Sequence, residues 1–198
     1  MSVILVLSKR SFKSNGRWRM FSPESLVKKA IECGMTQGKA LNMDALVFMP
    51  EVRDMCSADR CRSYGKNWCC PPACGTLEEA SERIKGYSSG IILQTVGNME
   101  DEFDYETIED TAKRHKSGFA AFVKELKKDF TDILPMGAGT CTICKECTYP
   151  DAPCRNPDDA IISMEAYGLW VSRVCEMSDI PYNNGKNTIT YTSCCLFK

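Results

Sequence analysis

The stretch Gly90-Ile-Ile-Leu-Gln-Thr-Val96 decides the fold class, because it is the clearest strand signal in the chain. A helical pattern follows from about Tyr105 to Phe130, with apolar residues recurring at helical spacing. A strand beside a long amphipathic helix is typical of an α/β protein. The neighbouring segments extend this alternation in both directions.

Upstream of this stretch, local signals predict two helices and one strand. A helix begins at Ser22-Pro23, where serine is a favourable N-cap and proline a favourable first residue, and it ends at Gly34. The apolar run Asp44–Met49 predicts a buried strand that stops at the following proline. Thr76–Glu79 has the pattern of a capping box, which predicts a short helix ending near Gly86.

Downstream, two strands and one helix are predicted. The runs Thr131–Pro135 and Thr188–Thr192 predict strands. Between them, Asp158 or Asp159 is placed to cap a helix that continues to about Met177. The whole pattern predicts an α/β fold: a single-layer mixed sheet of about four or five strands, with helices packed on it and two cysteine-rich metal-binding loops.

Composition narrows the classes of function. The 198 residues include 25 basic and 26 acidic side chains, and the pI of about 6.0 argues against a nucleic-acid-binding protein. No apolar run is long enough to span a membrane, and Val3–Leu7 is too short for a signal peptide. We therefore expect the 13 cysteines to be reduced in a cytoplasmic protein, where dense cysteine indicates metal or redox chemistry.

The chain has a single histidine, so a histidine-rich zinc site is excluded. His115 lies in the basic run Lys113–Lys116, which predicts the solvated face of a helix.

The beginning of the sequence is basic, since residues 1–20 carry lysines and arginines and no acidic residue. This predicts a poorly ordered basic extension at 1–21, followed by a single metal-binding domain at 22–198. A true start at Met20 and a tether for an anionic partner are the alternatives.

The second cysteine segment carries the stronger metal signal, C-x2-C-x2-C-x6-C, formed by Cys141, Cys144, Cys147 and Cys154. Three thiolates at two-residue intervals suit a [4Fe-4S] cubane, as in the bacterial ferredoxin run C-x2-C-x2-C-x3-C-P. The longer last interval leaves open whether Cys154 or a remote cysteine is the fourth ligand. The alternative is a four-cysteine zinc site, whose two pairs are normally separated by roughly a dozen or more residues.

The first cysteine segment is less regular. A second candidate set of four metal ligands consists of Cys56, Cys61, Cys70 and Cys74. Cys69 adjoins Cys70, and two adjacent cysteines do not easily reach one metal, so we expect one of them to be spare. A radical-SAM motif would require a cysteine at position 77, which is Leu77.

Four further cysteines lie outside both candidate ligand sets. Cys33 and Cys175 lie in predicted helices, where a buried free cysteine packs like a small apolar residue. Cys194 and Cys195 follow one another at a strand, so they point to opposite faces. The sequence leaves open whether one of these two lies in the core and the other is a spare or remote ligand.

Lysine and arginine residues lie close to both cysteine segments in the sequence. Arg155 and Lys66 are the candidates for contacts with a cofactor, because a cation offsets the charge of a thiolate-ligated cluster or holds an anionic substrate. Ordinary surface charge is the alternative interpretation.

The two cysteine motifs together resemble those of an uncharacterised bacterial and archaeal family of cysteine-rich predicted metal-binding proteins. The resemblance rests on three segments: Cys61-Arg-Ser-Tyr-Gly65-Lys-Asn-Trp-Cys-Cys70-Pro-Pro with Gly75-Thr-Leu-Glu-Glu79, the second cysteine segment with Pro153-Cys154-Arg-Asn-Pro157, and Ser163-Met-Glu-Ala-Tyr-Gly168. It extends from about residue 22 to the end. It implies a cytoplasmic metal protein of iron–sulfur type and names no substrate. The cysteine at position 69 departs from the family pattern.

These observations favour an iron–sulfur protein with one or two [4Fe-4S] clusters that serves low-potential electron transfer with a redox partner protein. The first alternative is an iron–sulfur enzyme with an open iron, which acts on a small anionic or sulfur-containing molecule or reductively activates a cofactor. The second alternative is a structural zinc module for protein contacts. Neither nucleic acid nor membrane is an expected partner.

Overall fold

The computed structural model describes residues 21–198, together with two short strands, β1 (Phe12–Ser14) and β2 (Arg17–Arg19), which pair antiparallel. The rest of residues 1–20, including Val3–Leu7, lies outside the described residues. The division into an extension at 1–21 and a domain at 22–198 therefore stays a prediction.

Four strands form an open sheet: β3 (Gln37–Ala40), β4 (Ser89–Asn98), β5 (Ile133–Met136) and β6 (Thr188–Phe197). Their order across the sheet is β3-β4-β6-β5. β4 and β6 pair along their full lengths, with Ser89 opposite Phe197 at one end. β4 and β5 run in the same direction, but β6 lies between them. Every neighbouring pair is therefore antiparallel, whereas the sequence predicts a mixed sheet.

Five α-helices accompany the sheet: α1 (Pro23–Glu32), α2 (Pro50–Asp54), α3 (Leu77–Ile84), α4 (Tyr105–Leu126) and α5 (Val171–Met177). The predicted caps are confirmed, because Ser22 accepts a hydrogen bond from the N–H of Ser25, and Thr76 and Glu79 form a reciprocal capping box. The α/β class with one four-stranded sheet is likewise confirmed.

Each face of the sheet has its own hydrophobic core, because side chains alternate along a strand. Ile92, Cys194 and Leu196 pack on one side with residues of α3 and α5. Ile91 and Cys195 pack on the other side with residues of α1 and α4. Both cysteines of β6 are fully buried core residues.

Several elements differ from the sequence predictions. The run Asp44–Met49 is not a strand: a 3-10 helix occupies Met43–Ala45, and Phe48 makes only an isolated bridge to Leu169. The helix predicted from Asp158 or Asp159 forms only as α5, because Gly168 has a φ of +76° that a right-handed helix does not tolerate. The polar strand β3 has no apolar alternation and was not predicted.

Candidate metal centre

The second cysteine segment leaves the sheet at the end of β5. Gly137 extends β5 through an isolated bridge to Ser163, and Gly139 then turns the chain with a φ of +65°. An added Cβ at Gly139 would meet nothing within 4 Å, so the left-handed backbone is what favours glycine there. The following loop contains no helix or strand before Cys154.

Five thiols line one small cavity in this loop. They are the four predicted ligands of the second segment and one residue of the first: Cys69, Cys141, Cys144, Cys147 and Cys154. Cys69 is 5% exposed and the other four are partly buried. We call this set the five-thiol group. Sequence spacing alone does not reveal Cys69 as a member, because it comes from a distant part of the chain.

A hydrogen bond between two thiols of the five-thiol group favours a thiolate at one of them, Cys141. The Cys69 thiol donates to Cys141, and this bond lowers the pKa of Cys141 to about 6 against the opposing effect of burial. The backbone of Ile143 and the cation of Lys116 lower it further. The same bond, with burial, raises the pKa of Cys69. Asn156 Nδ2 donates to Cys144 Sγ at 3.2 Å.

The two cysteine segments dock directly on one another through Asn67 and Trp68. Asn67 Nδ2 donates to the carbonyl of Cys141 at 3.3 Å, and Asn67 Oδ1 accepts from the N–H of Cys69 at 2.9 Å. Trp68 Nε1 donates to the carbonyl of Ala152 at 3.1 Å, and its ring meets Tyr149 edge-on. Both segments therefore form a single structural unit.

The predicted ligands of the first segment form a second set, which we call the four-thiol group: Cys56, Cys61, Cys70 and Cys74. Burial raises the pKa of Cys56, and neighbouring charges, including those of Cys61 and Cys70, raise it further. Burial also raises the pKa of Cys70, with further increases from Cys61, Cys74 and Cys141. Arg53 lies 3.5 Å from Cys74 Sγ and partly offsets the burial of that thiol.

Cys69 and Cys70 connect the two groups. Cys69 lines the five-thiol cavity, whereas Cys70 interacts with the thiols of the four-thiol group and lies 3.4 Å from Thr140 Oγ1. Each of these two cysteines is therefore close to other cysteines. Within residues 21–198, no three His, Cys, Asp or Glu side chains are already arranged to hold a metal ion.

The two predicted cations lie in different environments. Arg155 lines the five-thiol cavity, and its guanidinium donates to the carbonyl of Glu146, which ties the two halves of the loop together. Lys66 pairs with Asp59 at 3.1 Å and does not line that cavity.

His115 corrects one sequence expectation, because it is 1% exposed rather than solvated. Its Nε2 lies 2.7 Å from Ser193 Oγ and its Nδ1 lies 3.0 Å from Thr95 Oγ1. Burial, aided by the cation of Lys116, lowers its pKa to about 4. The spacing that reveals the buried face is that of His115 with Phe119, one helical turn later.

Cys33 and Cys175 follow the core expectation. Cys175 is fully buried, and Cys33, just beyond α1, packs partly buried against the core beside α4.

Comparison with known proteins identifies the family. Residues 39–197 match the family described as "Predicted metal-binding protein (DUF2284)". The chain belongs to this family. The match includes both cysteine segments and the whole four-stranded sheet except its first two residues, and it confirms the resemblance seen in the motifs. The DUF2284 description supports a metal-binding domain and specifies neither the metal nor a reaction.

Searches of curated proteins and of solved structures gave no significant match. Among the described residues, no helix is long and apolar enough to cross a membrane.

Proposed function

We propose that this protein carries one or two [4Fe-4S] clusters and transfers electrons at low potential. The ligands of the first cluster are Cys141, Cys144 and Cys147, completed by Cys154 or Cys69. The ligands of the second cluster are Cys56, Cys61, Cys70 and Cys74. A cluster at either site would accept and return an electron, at a potential tuned by hydrogen bonds to sulfur and by burial.

The adjacency of Cys69 and Cys70 carries the electron-transfer proposal. Cys69 lines the five-thiol cavity, and Cys70 interacts with Cys61, Cys74 and Cys141, so in this proposal the two groups meet along one peptide unit. Two redox centres in contact through consecutive residues suit transfer of electrons from one to the other. The surroundings also suit anionic clusters, since Asn156 donates to Cys144 and the Lys116 cation acts on both Cys141 and Cys70. The partner in this proposal is a redox protein in the cytoplasm, where thiols stay reduced.

A zinc site is the second candidate, and the size of the five-thiol cavity favours it. This cavity measures about 20 Å³, which is the space of a single water or ion. A cubane therefore requires the thiols to move outward. The loop that carries Cys141–Cys154 has no regular secondary structure to prevent such a movement. The two-residue spacing of its first three cysteines keeps the cluster as the leading proposal.

An iron–sulfur enzyme is the third candidate. Five thiols at one site exceed the four that a cubane needs, and Cys141 also lines a much larger cavity on its other side. In this proposal three cysteines hold the cluster, and a small anionic or sulfur-containing substrate reaches the fourth iron.

Anaerobic purification, followed by analysis of iron, acid-labile sulfide and zinc, tests the proposal. We expect a brown protein with roughly four or eight irons per chain and as much sulfide. A colourless protein with one or two tightly bound zinc ions and no sulfide would support the zinc site and exclude the electron-transfer function. A substrate-dependent spectral change in the iron-loaded protein would favour the enzyme.

A further inference from the structure

A cavity lies between α4 and the turn that follows β5. Its volume is about 380 Å³, which falls in the usual range of small-molecule sites. The turn Gly137–Thr140 forms one wall, and Phe119 and Val123 of α4 form the opposite wall. At about 30 Å³ for each water-sized group, the cavity accommodates roughly a dozen non-hydrogen atoms.

The walls are apolar and the charges are mostly positive. Ile143 and Ile161 continue the apolar lining. Three lysines line the same cavity, Lys116, Lys124 and Lys127, against one acid, Asp159, which pairs with Lys127 at 3.9 Å. Lys124 makes no ion pair within residues 21–198.

Neutral polar groups of the backbone and of the cavity floor also line this positively charged cavity. Across the described residues, the N–H groups of Ala138 and Gly139 have no hydrogen-bond acceptor, and both residues line the cavity. The bonded pair His115 and Ser193 lies at its floor. A mostly apolar cavity with a few converging donors is the usual form of a site for an organic ligand.

We propose that this cavity binds a small organic acid of roughly a dozen non-hydrogen atoms, with an apolar body and one carboxylate. The apolar body lies between α4 and Ile143, and the carboxylate faces Lys124 and the free N–H groups of the turn. Cys141 lines both this cavity and the five-thiol group, so the bound acid lies against the candidate metal centre. The binding itself does not depend on which metal the cysteines hold.

Isothermal titration calorimetry with 2-naphthoate, on protein purified anaerobically, tests the proposal. The matched neutral probe is 2-naphthamide, and acetate provides the carboxylate without the apolar body. We expect 2-naphthoate to bind about tenfold or more tightly than the amide, with no measurable binding of acetate. Absence of naphthoate binding, or equal binding of naphthoate and naphthamide, would overturn the proposal.

Two variants locate the binding. Ala120→Phe fills the cavity from an exposed position of α4 and is expected to abolish binding without unfolding the protein. Lys124→Gln is expected to weaken naphthoate binding about fivefold and to leave the amide unaffected. The matched control is Lys113→Gln, an exposed lysine of the same helix outside the cavity. If Lys113→Gln weakens binding as much as Lys124→Gln, or Ala120→Phe leaves it unchanged, the acid binds elsewhere and the proposal is wrong.

Discussion

The two thiol groups are neighbours of similar composition, yet different groups surround their sulfur atoms. In the five-thiol group, donors reach the sulfur atoms from Asn156 and Cys69, and the pKa of Cys141 is lowered to about 6. In the four-thiol group, burial and neighbouring thiols raise the pKa values of Cys56 and Cys70. The Cys69–Cys141 pair therefore favours one thiolate, whereas burial opposes thiolates at Cys56 and Cys70.

The largest expected effect is loss of the metal itself. Cys144→Ser should remove the iron of the five-thiol group, about four atoms per chain, because a serine oxygen is a harder and poorer ligand. Cys33→Ser is the matched control, because Cys33 packs against the core away from both groups. Iron and sulfide analysis of the two variants checks this prediction. Loss of iron in Cys33→Ser with retention in Cys144→Ser would show that the ligands are assigned wrongly.

Single substitutions of the two adjacent cysteines should affect the two thiol groups separately. Cys69→Ser should alter the signal of the five-thiol group, because Cys69 lines that cavity, and Cys70→Ser should alter that of the four-thiol group, because Cys70 interacts with Cys61 and Cys74. Redox titration followed by electron paramagnetic resonance measures both signals. Loss of one shared signal in both variants would mean that the two groups hold a single cluster.

The next expected effect is a pH dependence of the free energy of unfolding, which arises from His115. Its folded-state pKa of about 4 is below the ordinary value of 6.5, so both states are neutral above pH 6.5 and the stabilisation is complete there. As the pH falls from 6.5 to 4, His115 becomes protonated in the unfolded chain but stays neutral in the folded protein. The free energy of unfolding therefore decreases by up to about 3 kcal/mol. His115→Gln should remove this part of the slope in urea unfolding curves. An unchanged slope would contradict the buried neutral imidazole.

The smallest expected effect concerns the donor to Cys144. Asn156→Ala removes the hydrogen bond to sulfur and should weaken metal binding at the five-thiol group by about 10- to 100-fold, as do other losses of partners that orient metal ligands. Competition with a chelator measures the change, and Asn98→Ala at the exposed end of β4 is the control. Equal metal retention by both variants would remove Asn156 from the explanation of the difference between the groups.

Local signals in the sequence predicted the elements that depend on local physics. α4 and β4 follow from periodicity, and the starts of α1 and α3 follow from their caps. β3 has the sequence Gln-Gly-Lys-Ala and exists because β4 offers it an edge, which a single sequence does not show. The burial of His115 was missed for a related reason, since its two partners come from β4 and β6.

The candidate site likewise has one part that local sequence predicts and one part that depends on tertiary contacts. The spacing of Cys141, Cys144 and Cys147 indicated a common site because these residues are close along the chain. The joining of Cys69 to them depends on the contacts of Asn67 and Trp68 with the second loop, which no local pattern encodes. The sequence therefore predicts the four members of each motif but not which of two adjacent thiols joins which group.

The insertion of β6 between β4 and β5 has a consequence for synthesis on the ribosome. Both neighbours are translated before β6, and the chain from Asn98 to Thr188 takes on the order of ten seconds to make at about 5–20 residues per second. During that interval the nascent chain exposes unpaired strand edges together with both cysteine segments, which makes it prone to aggregation and to oxidation. A chaperone or a metal-delivery factor that acts during translation would meet the thiols before the sheet is complete.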